Sequence, residues 1–339
     1  MKDRKQAIVI TGCGWVTPFA AGGLEAILKT AAGRSTGPDV SQGYWPVPDG
    51  LLDGCPNLSA ECRNDPGAWL TAVAFELARR DSSLVPGSVP PERVGLVLGN
   101  ALAGQSGMID FANDVREQSA RFVSPIRFPQ TVGNFIAGAL ARAYDIRGPN
   151  STIASGPASG LDAVVEACSL LSAGRADIVF AGGTGRLTPA LALGLAEPDV
   201  TFSDGACLFV LESHEHALAR GARELAQVLS PLESVVGNSP RSIHSVAGSP
   251  EPGAIYIEHW TGRCLAALGA AAVAAAIGAA RGLPVPRIHE TDSTVVAVGT
   301  LPNRVGDNVR VVVRADFDGG SPTIIGLELP PGRSTGLEH

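Results

Sequence analysis

The stretch Thr152-Ile-Ala-Ser-Gly-Pro-Ala-Ser-Gly-Leu161 decides how this chain is interpreted. It begins as a short apolar strand, turns on the small residues around Pro157, and enters a helix that continues to Leu171. A strand, a tight turn and a helix in this order lift the residue at the tip clear of the sheet. They also point backbone N–H groups at whatever binds there. The sequence therefore predicts a structural elbow with Pro157 at its tip.

A simpler interpretation of Pro157 stays open beside this one. Proline is favoured at the first position of a helix, where its missing N–H would be unpaired in any case. Gly156 or Ser155 would then be the N-cap residue. On this interpretation Pro157 marks the start of a helix and nothing more.

The overall composition is that of a packed α/β protein rich in tight turns. The chain has 339 residues, of which 45% are hydrophobic, 17% are charged and 41 are glycine. A net charge of −7 without a basic cluster argues against nucleic acid or an anionic membrane as the main partner. The six cysteines lack CxxC spacing, which favours reduced thiols in the cytoplasm over a disulfide framework or a zinc site.

The termini and the alanine-rich segment carry no signal for export or membrane insertion. Met1–Lys5 is charged and precedes only a short apolar run, so the sequence predicts no signal peptide. Leu265–Ala280 consists of small residues between Arg263 and Arg281, which favours a buried helix over a membrane span. Leu337–His339 is typical of a purification-tag remnant. These features predict a cytoplasmic protein.

Strand and helix signals alternate along the first two-thirds of the chain. The continuously apolar runs Ala7–Thr11 and Val94–Gly99 predict strands that are buried on both faces. Gln105–Gln118 predicts a helix with its apolar residues broadly on one side. Further motifs follow in order, namely S-P-I-R-F-P at 124–129, N-F-I-A-G at 134–138, I-R-G-P-N at 146–150, G-R-A-D-I-V-F-A-G-G at 174–183 and D-G-A-C-L-F-V-L-E at 204–212.

Together with the elbow and the opening I-V-I-T-G-C-G-W-V-T-P at 8–18, these motifs resemble those of the β-ketoacyl-ACP synthases, and in the same order. This family contains the condensing enzymes of the thiolase-like superfamily. The resemblance implies an α/β protein with the duplicated, five-layered αβαβα thiolase-like fold and a shortened C-terminal half. The two halves would span residues 1–222 and 223–331, followed by a tail at 332–339.

The same resemblance indicates where the catalytic groups should be, and each position is substituted. The acyl-carrying cysteine of the family corresponds to Pro157, which has neither a nucleophilic atom nor the N–H that the family's oxyanion hole uses. The nearest candidate for one catalytic histidine, His244, lacks the surrounding family pattern. The remaining degenerate positions, by resemblance, are Glu258 for a lysine, Arg263 for a histidine, Asp318 for a gating phenylalanine and Pro322 for its neighbouring asparagine.

These substitutions imply a protein that is not a condensing enzyme by itself. In type II polyketide systems, a chain-length factor is a ketosynthase-like subunit without the cysteine that pairs with an active ketosynthase and closes its acyl tunnel. The resemblance implies such a role, with an acyl carrier protein reached through the complex, and without a metal or cofactor. Its shortness and its proline favour a divergent branch, such as one serving polyene or highly reducing systems.

The tunnel end would lie on the predicted helix 105–118. The candidates at helical spacing are Gln105, Met108, Ile109 and Ala112. An ordinary core role for Met108 and Ile109 is the alternative interpretation.

Other functions stay open. A repurposed thiolase-like acyltransferase, hydrolase or decarboxylase could use Ser155, although a serine nucleophile needs an adjacent base. A homodimeric regulator or scaffold is a third possibility. His214 and His216 resemble a metal-binding pair, but residues two apart on a helix point about 200° from each other, which favours a solvated face. Cys13 and Cys168 are interpreted as core residues.

Overall fold

The structure, a computed structural model, describes residues 7–25, 43–51, 65–102, 104–195, 201–229, 255–256, 264–280, 296–305, 308–315 and 323–329. His244, Glu258, Arg263, Asp318 and Pro322 lie outside these residues, so their predicted roles are not tested by it. The strands are β1 (Ile8–Val16), β2 (Ala21–Gly22), β3 (Tyr44–Trp45), β4 (Val94–Asn100), β5 (Asn150–Ile153), β6 (Ile178–Gly185), β7 (Phe202–Ser203), β8 (Gly205–Ser213), β9 (Ala226–Leu229), β10 (Ile255–Tyr256), β11 (Val296–Val305), β12 (Asn308–Ala315) and β13 (Thr323–Leu329). The helices are α1 (Pro66–Asp81), α2 (Gln105–Gln118), α3 (Phe135–Ala143), α4 (Ser159–Ser172), α5 (Pro189–Gly194), α6 (His214–Ala219) and α7 (Ala267–Ala280).

One mixed sheet organises the described strands. Its order is β10-β11-β12-β13-β9-β1-β8-β6-β4-β5, with β2 paired to β1. Strand β4 runs parallel to both β5 and β6, whereas β8 is antiparallel to β6 and β1. The C-terminal strands β11, β12 and β13 form an antiparallel meander that joins the rest through β9. Among the described strands, β5 is therefore an open edge of the sheet.

Helices cover both faces of the N-terminal strands. On one face, α1 and α3 pack in a core that includes Phe75 stacked on Phe180, with ring centroids 4.0 Å apart. On the other face, α4 and α7 pack in a second core, which also contains Val313 and Leu327 from the C-terminal strands. The described strands thus form one mixed sheet, with helices on both faces of its N-terminal strands.

Local sequence explains where the helices begin. Asp65 caps α1 by accepting a hydrogen bond from the Ala68 N–H at 2.7 Å, and Pro66 occupies the first turn. Helix α7 is buried from Ala267 to Gly278, which confirms that the alanine-rich segment is a buried helix. Within the described residues, none of the helices combines the length and the apolar character needed to cross a bilayer.

A buried ionic network holds the end of the sheet that lies away from the elbow. Glu212, near the end of β8, is fully buried and accepts hydrogen bonds from Arg220 at 2.5 and 2.8 Å and from the Thr11 hydroxyl at 2.5 Å. The His216 Nδ1 lies 2.6 Å from the same carboxylate. Burial alone would raise the pKa of Glu212, but the hydrogen bonds from Arg220, Thr11 and His216 lower it. His216, which was predicted to lie on a solvated face, is partly exposed, and its ring also contacts this buried carboxylate.

Candidate functional site

The predicted elbow forms at the C-terminal end of β5. The chain leaves the strand at Ile153, makes a 3₁₀ turn over Gly156–Ala158, and enters α4 at Ser159. Gly156 has φ +80°, a left-handed conformation that residues with a side chain rarely adopt. Pro157 lies within the turn, directly before the α-helix. The position that the resemblance assigns to a catalytic cysteine is thus occupied by a ring without a hydrogen-bond donor.

The hydroxyl groups of the elbow are engaged in local hydrogen bonds. Ser159 Oγ donates to the Gly156 carbonyl at 2.5 Å and accepts from the Ser155 N–H at 2.9 Å. The Ser155 hydroxyl donates to a carboxylate oxygen of Asp162 on the first turn of α4. Ser155 therefore does not cap the turn with its side chain, and its hydroxyl is held by a carboxylate, which the sequence interpretation missed.

Glycine contacts close the inner side of the elbow. A Cβ placed on Gly160 would lie 2.2 Å from the Ala266 carbonyl oxygen, and one on Gly183 would lie 1.9 Å from the same atom. A Cβ on Gly99 would lie 2.4 Å from the Gly160 nitrogen. Because these distances are too short for any side chain, β4, β6, α4 and the segment before α7 meet backbone to backbone. The inner side of the elbow is therefore closely packed at these glycines.

Open space lies instead at the carboxyl ends of β4 and β6. A cavity of about 360 Å³ is bounded by these strand ends, by the starts of α1, α2 and α3, and by the 3₁₀ turn Pro125–Thr131. We call it the site cavity. Its lining includes four charged residues, Asp65, Asp110, Arg127 and Arg186.

The four tunnel candidates do not share one environment. Gln105 contributes to the lining of the site cavity. Met108 is 55% exposed, Ala112 is exposed, and Ile109 is half-buried. The predicted helix therefore exists with the predicted bounds, but of the four candidates the structure brings only Gln105 to the cavity.

A buried carboxylate next to the cavity was missed from the sequence. Asp204, which precedes β8, is fully buried and accepts hydrogen bonds from the backbone N–H groups of Leu187 at 3.0 Å and Val47 at 3.1 Å. The Tyr44 hydroxyl lies 2.8 Å from Asp204 Oδ1, and Arg186 Nε lies 3.8 Å from Oδ2. Burial raises the pKa of Asp204, although Arg186 and these donors oppose the shift. Burial and the neighbouring Asp204 also raise the pKa of Tyr44.

Large apolar side chains are exposed beside the cavity. Met108 on α2 and three residues of the following segment are exposed to between 42% and 71%: Phe122, Phe128 and Val132. We call these four residues the apolar patch. Phe128 is held against α2, since the rings of Phe111 and Phe128 meet edge to face at 5.9 Å. Several large apolar side chains exposed within one stretch of chain are typical of an interaction surface.

The described thiols and imidazoles are not arranged for catalysis. Burial raises the pKa of Cys168 on α4 to about 12, so its thiol stays protonated, while Cys13, Cys207 and Cys264 are buried. His214 and His216 contact Glu224 and Glu212, respectively. Among the described residues, no group of three or more histidine, cysteine, aspartate or glutamate side chains could hold a metal ion.

Comparison with known proteins places this geometry in a family. Residues 49–215 match the family described as beta-ketoacyl synthase, N-terminal domain. The chain is 26% identical over 293 residues to 3-oxoacyl-[acyl-carrier-protein] synthase 2 of Rhizobium meliloti, covering 74% of this chain and 68% of that protein. It is 27% identical over 274 residues to the tetracenomycin polyketide synthase ketoacyl synthase alpha subunit of Streptomyces glaucescens, covering 67% and 62%. The chain spans between 39% and 68% of the length of the curated relatives that it matches first.

A solved structure shares the fold over nearly the whole chain. The ishigamide ketosynthase/chain length factor superposes with a TM-score of 0.73 at 17% identity, covering 97% of this chain and 100% of that one. This likeness confirms the predicted thiolase-like ketosynthase fold. The match of residues 49–215, the relatives and this fold together bear out the resemblance to the β-ketoacyl synthases.

Proposed function

We propose that this chain is a non-catalytic ketosynthase-like subunit of the chain-length-factor type. It pairs with a separate, active ketosynthase, closes the acyl tunnel of that partner, and helps to set product length in a type II polyketide pathway, of the polyene or highly reducing kind. The growing chain is delivered by an acyl carrier protein that docks on the complex.

The proline at the elbow tip is the observation that carries this proposal. A condensing enzyme of this family needs a thiolate at that point and a backbone N–H that steadies the tetrahedral intermediate. Pro157 supplies neither. Loss of one oxyanion donor alone typically slows acyl transfer by about 100- to 1000-fold, even when the nucleophile is present. With both losses, the elbow keeps the strand–turn–helix geometry but has neither the nucleophile nor the oxyanion donor at position 157.

The four cysteines that the structure describes do not replace the missing thiolate. Cys168 lies on α4 with its pKa raised to about 12, so its thiolate is scarcely populated at neutral pH. Cys13, Cys207 and Cys264 are buried in the core and out of reach of a carrier-bound acyl group.

The surface beside the elbow supports a protein partner. Strand β5 is the open edge of the sheet among the described strands, and an open edge offers unpaired backbone groups to another chain. The apolar patch of Met108, Phe122, Phe128 and Val132 lies on the segment that precedes β5 in the chain. An edge and an apolar patch together favour an obligate interface of more than about 2,000 Å². The shared fold of the ishigamide ketosynthase/chain length factor is in keeping with such a pair.

The test of pairing is co-expression with an active type II ketosynthase and one affinity tag on the partner. We expect a complex with one copy of each chain. Phe128→Glu should break it, because a charge is placed in the patch, whereas Leu218→Glu on α6 should not, since Leu218 is as exposed but belongs to another surface. A stable homodimer that ignores every ketosynthase, or equal behaviour of the two variants, would contradict the proposal.

The test of chain-length control uses the reconstituted pair. Enlarging Met108 or Ala112 on α2 should shorten the product without abolishing condensation, because these side chains would fill the end of the tunnel. Enlarging Leu193, which is 79% exposed on α5, is the matched control and should leave product length unchanged. Product lengths are read by mass spectrometry. An unchanged length for both α2 variants would remove this helix from the tunnel.

A catalytic role for this chain is the second candidate, and one observation favours it. The Ser155 hydroxyl donates to the Asp162 carboxylate, an arrangement in which a carboxylate could draw the proton from a serine. The proposal would be a repurposed acyltransferase, hydrolase or decarboxylase. Incubation of the purified chain with acyl-carrier protein separates the two candidates. A covalent acyl adduct or turnover that disappears in Ser155→Ala would establish the enzyme and overturn the non-catalytic role.

A further inference from the structure

We draw no further inference here: the strongest candidate outside the surfaces already described, the cluster of buried thiols of Cys13, Cys207 and Cys264 between β1, β8 and the segment before α7, carries nothing, because among the described residues it has no arrangement that could hold a metal ion and its depth in the core keeps it from oxidants and ligands.

Discussion

Strand β8 has a fully buried carboxylate at each end, and the two are held in opposite ways. Glu212 receives two hydrogen bonds from Arg220, the closer at 2.5 Å, and the sum of its contacts lowers its pKa. Asp204 has its arginine at 3.8 Å, and burial raises its pKa. Glu212 and Arg220, which we call the tight pair, lie at the end of β8 away from the elbow. Asp204 and Arg186, which we call the loose pair, lie beside the site cavity. Of these two pairs, the more widely spaced one borders the site cavity.

The two ends of β8 therefore differ in how completely their buried charges are paired. A tight buried pair contributes to a unique fold but offers nothing to a ligand, since all its atoms are engaged. A loose pair costs stability and leaves a donor available. The elbow resembles the tight pair in this respect, because backbone contacts fill its inner side. In the described part of this chain, open space lies at the cavity, not on the inner side of the elbow.

The largest expected effect comes from breaking the tight pair. Glu212→Gln should destabilise the fold by about 3–5 kcal/mol, because Arg220 would remain buried without a countercharge. Glu224→Gln is the matched control: Glu224 contacts His214 at 2.6 Å but is partly exposed, so its loss should cost less than about 1 kcal/mol. Urea unfolding at neutral pH measures both. Similar losses for the two variants would mean that the network around Glu212 is not a determinant of stability.

The loose pair should tolerate the corresponding change better. Asp204→Asn retains one acceptor oxygen and removes a charge that burial already disfavours, so we expect a loss of about 1–3 kcal/mol. The same unfolding measurement compares it with Glu212→Gln. If Asp204→Asn proved the more damaging of the two, the assignment of the tight and the loose end would be reversed.

The loss of unfolding free energy should depend on pH in opposite directions for Glu212→Gln and Asp204→Asn. A carboxyl whose pKa is lowered by folding contributes stability above its ordinary pKa and loses it as the pH falls through the folded value. The cost of Glu212→Gln should therefore shrink on acidification. A carboxyl whose pKa is raised contributes stability below its ordinary pKa and loses it as the pH rises through the folded value. The cost of Asp204→Asn should therefore shrink as the pH rises. The check is to measure urea unfolding midpoints of both variants and the wild type between about pH 3 and pH 7. If the losses of the two variants changed with pH in the same direction, both pKa assignments would be contradicted.

The elements of the fold could be predicted from the sequence because their signals are local. The helix predicted over Gln105–Gln118 has those same bounds, and the apolar run predicted as a strand from Val94 ends at Asn100. The strand–turn–helix order of the elbow is likewise written in consecutive residues. Periodicity and turn residues identify such elements without knowledge of the rest of the chain.

The polar site could not be predicted in this way. Tyr44 and Asp204 are 160 residues apart, and nothing in either neighbourhood indicates the other. Arg186 follows β6, whose apolar residues predicted a buried strand and gave no indication of a polar group after it. Its position in the lining of the cavity was therefore missed. Even the bond from Ser155 to Asp162 crosses a proline turn whose geometry is not fixed by spacing. Burial and pairing of charges depend on tertiary contacts, which a single sequence does not contain.

The smallest expected effect on stability is at the elbow tip, where a thiol can be introduced in place of Pro157. Pro157→Cys should cost no more than about 1 kcal/mol, since its main effect is to give the unfolded chain more freedom. The new thiol would lie at the start of α4, where the helix dipole favours a thiolate, so iodoacetamide should label it faster than Cys168, whose pKa burial raises to about 12. We nevertheless expect no condensation, because the resemblance places Glu258 and Arg263 where the family has its catalytic lysine and histidine. Condensing activity in Pro157→Cys alone would show that the site kept its other catalytic groups, and that a single proline separates this chain from an active enzyme.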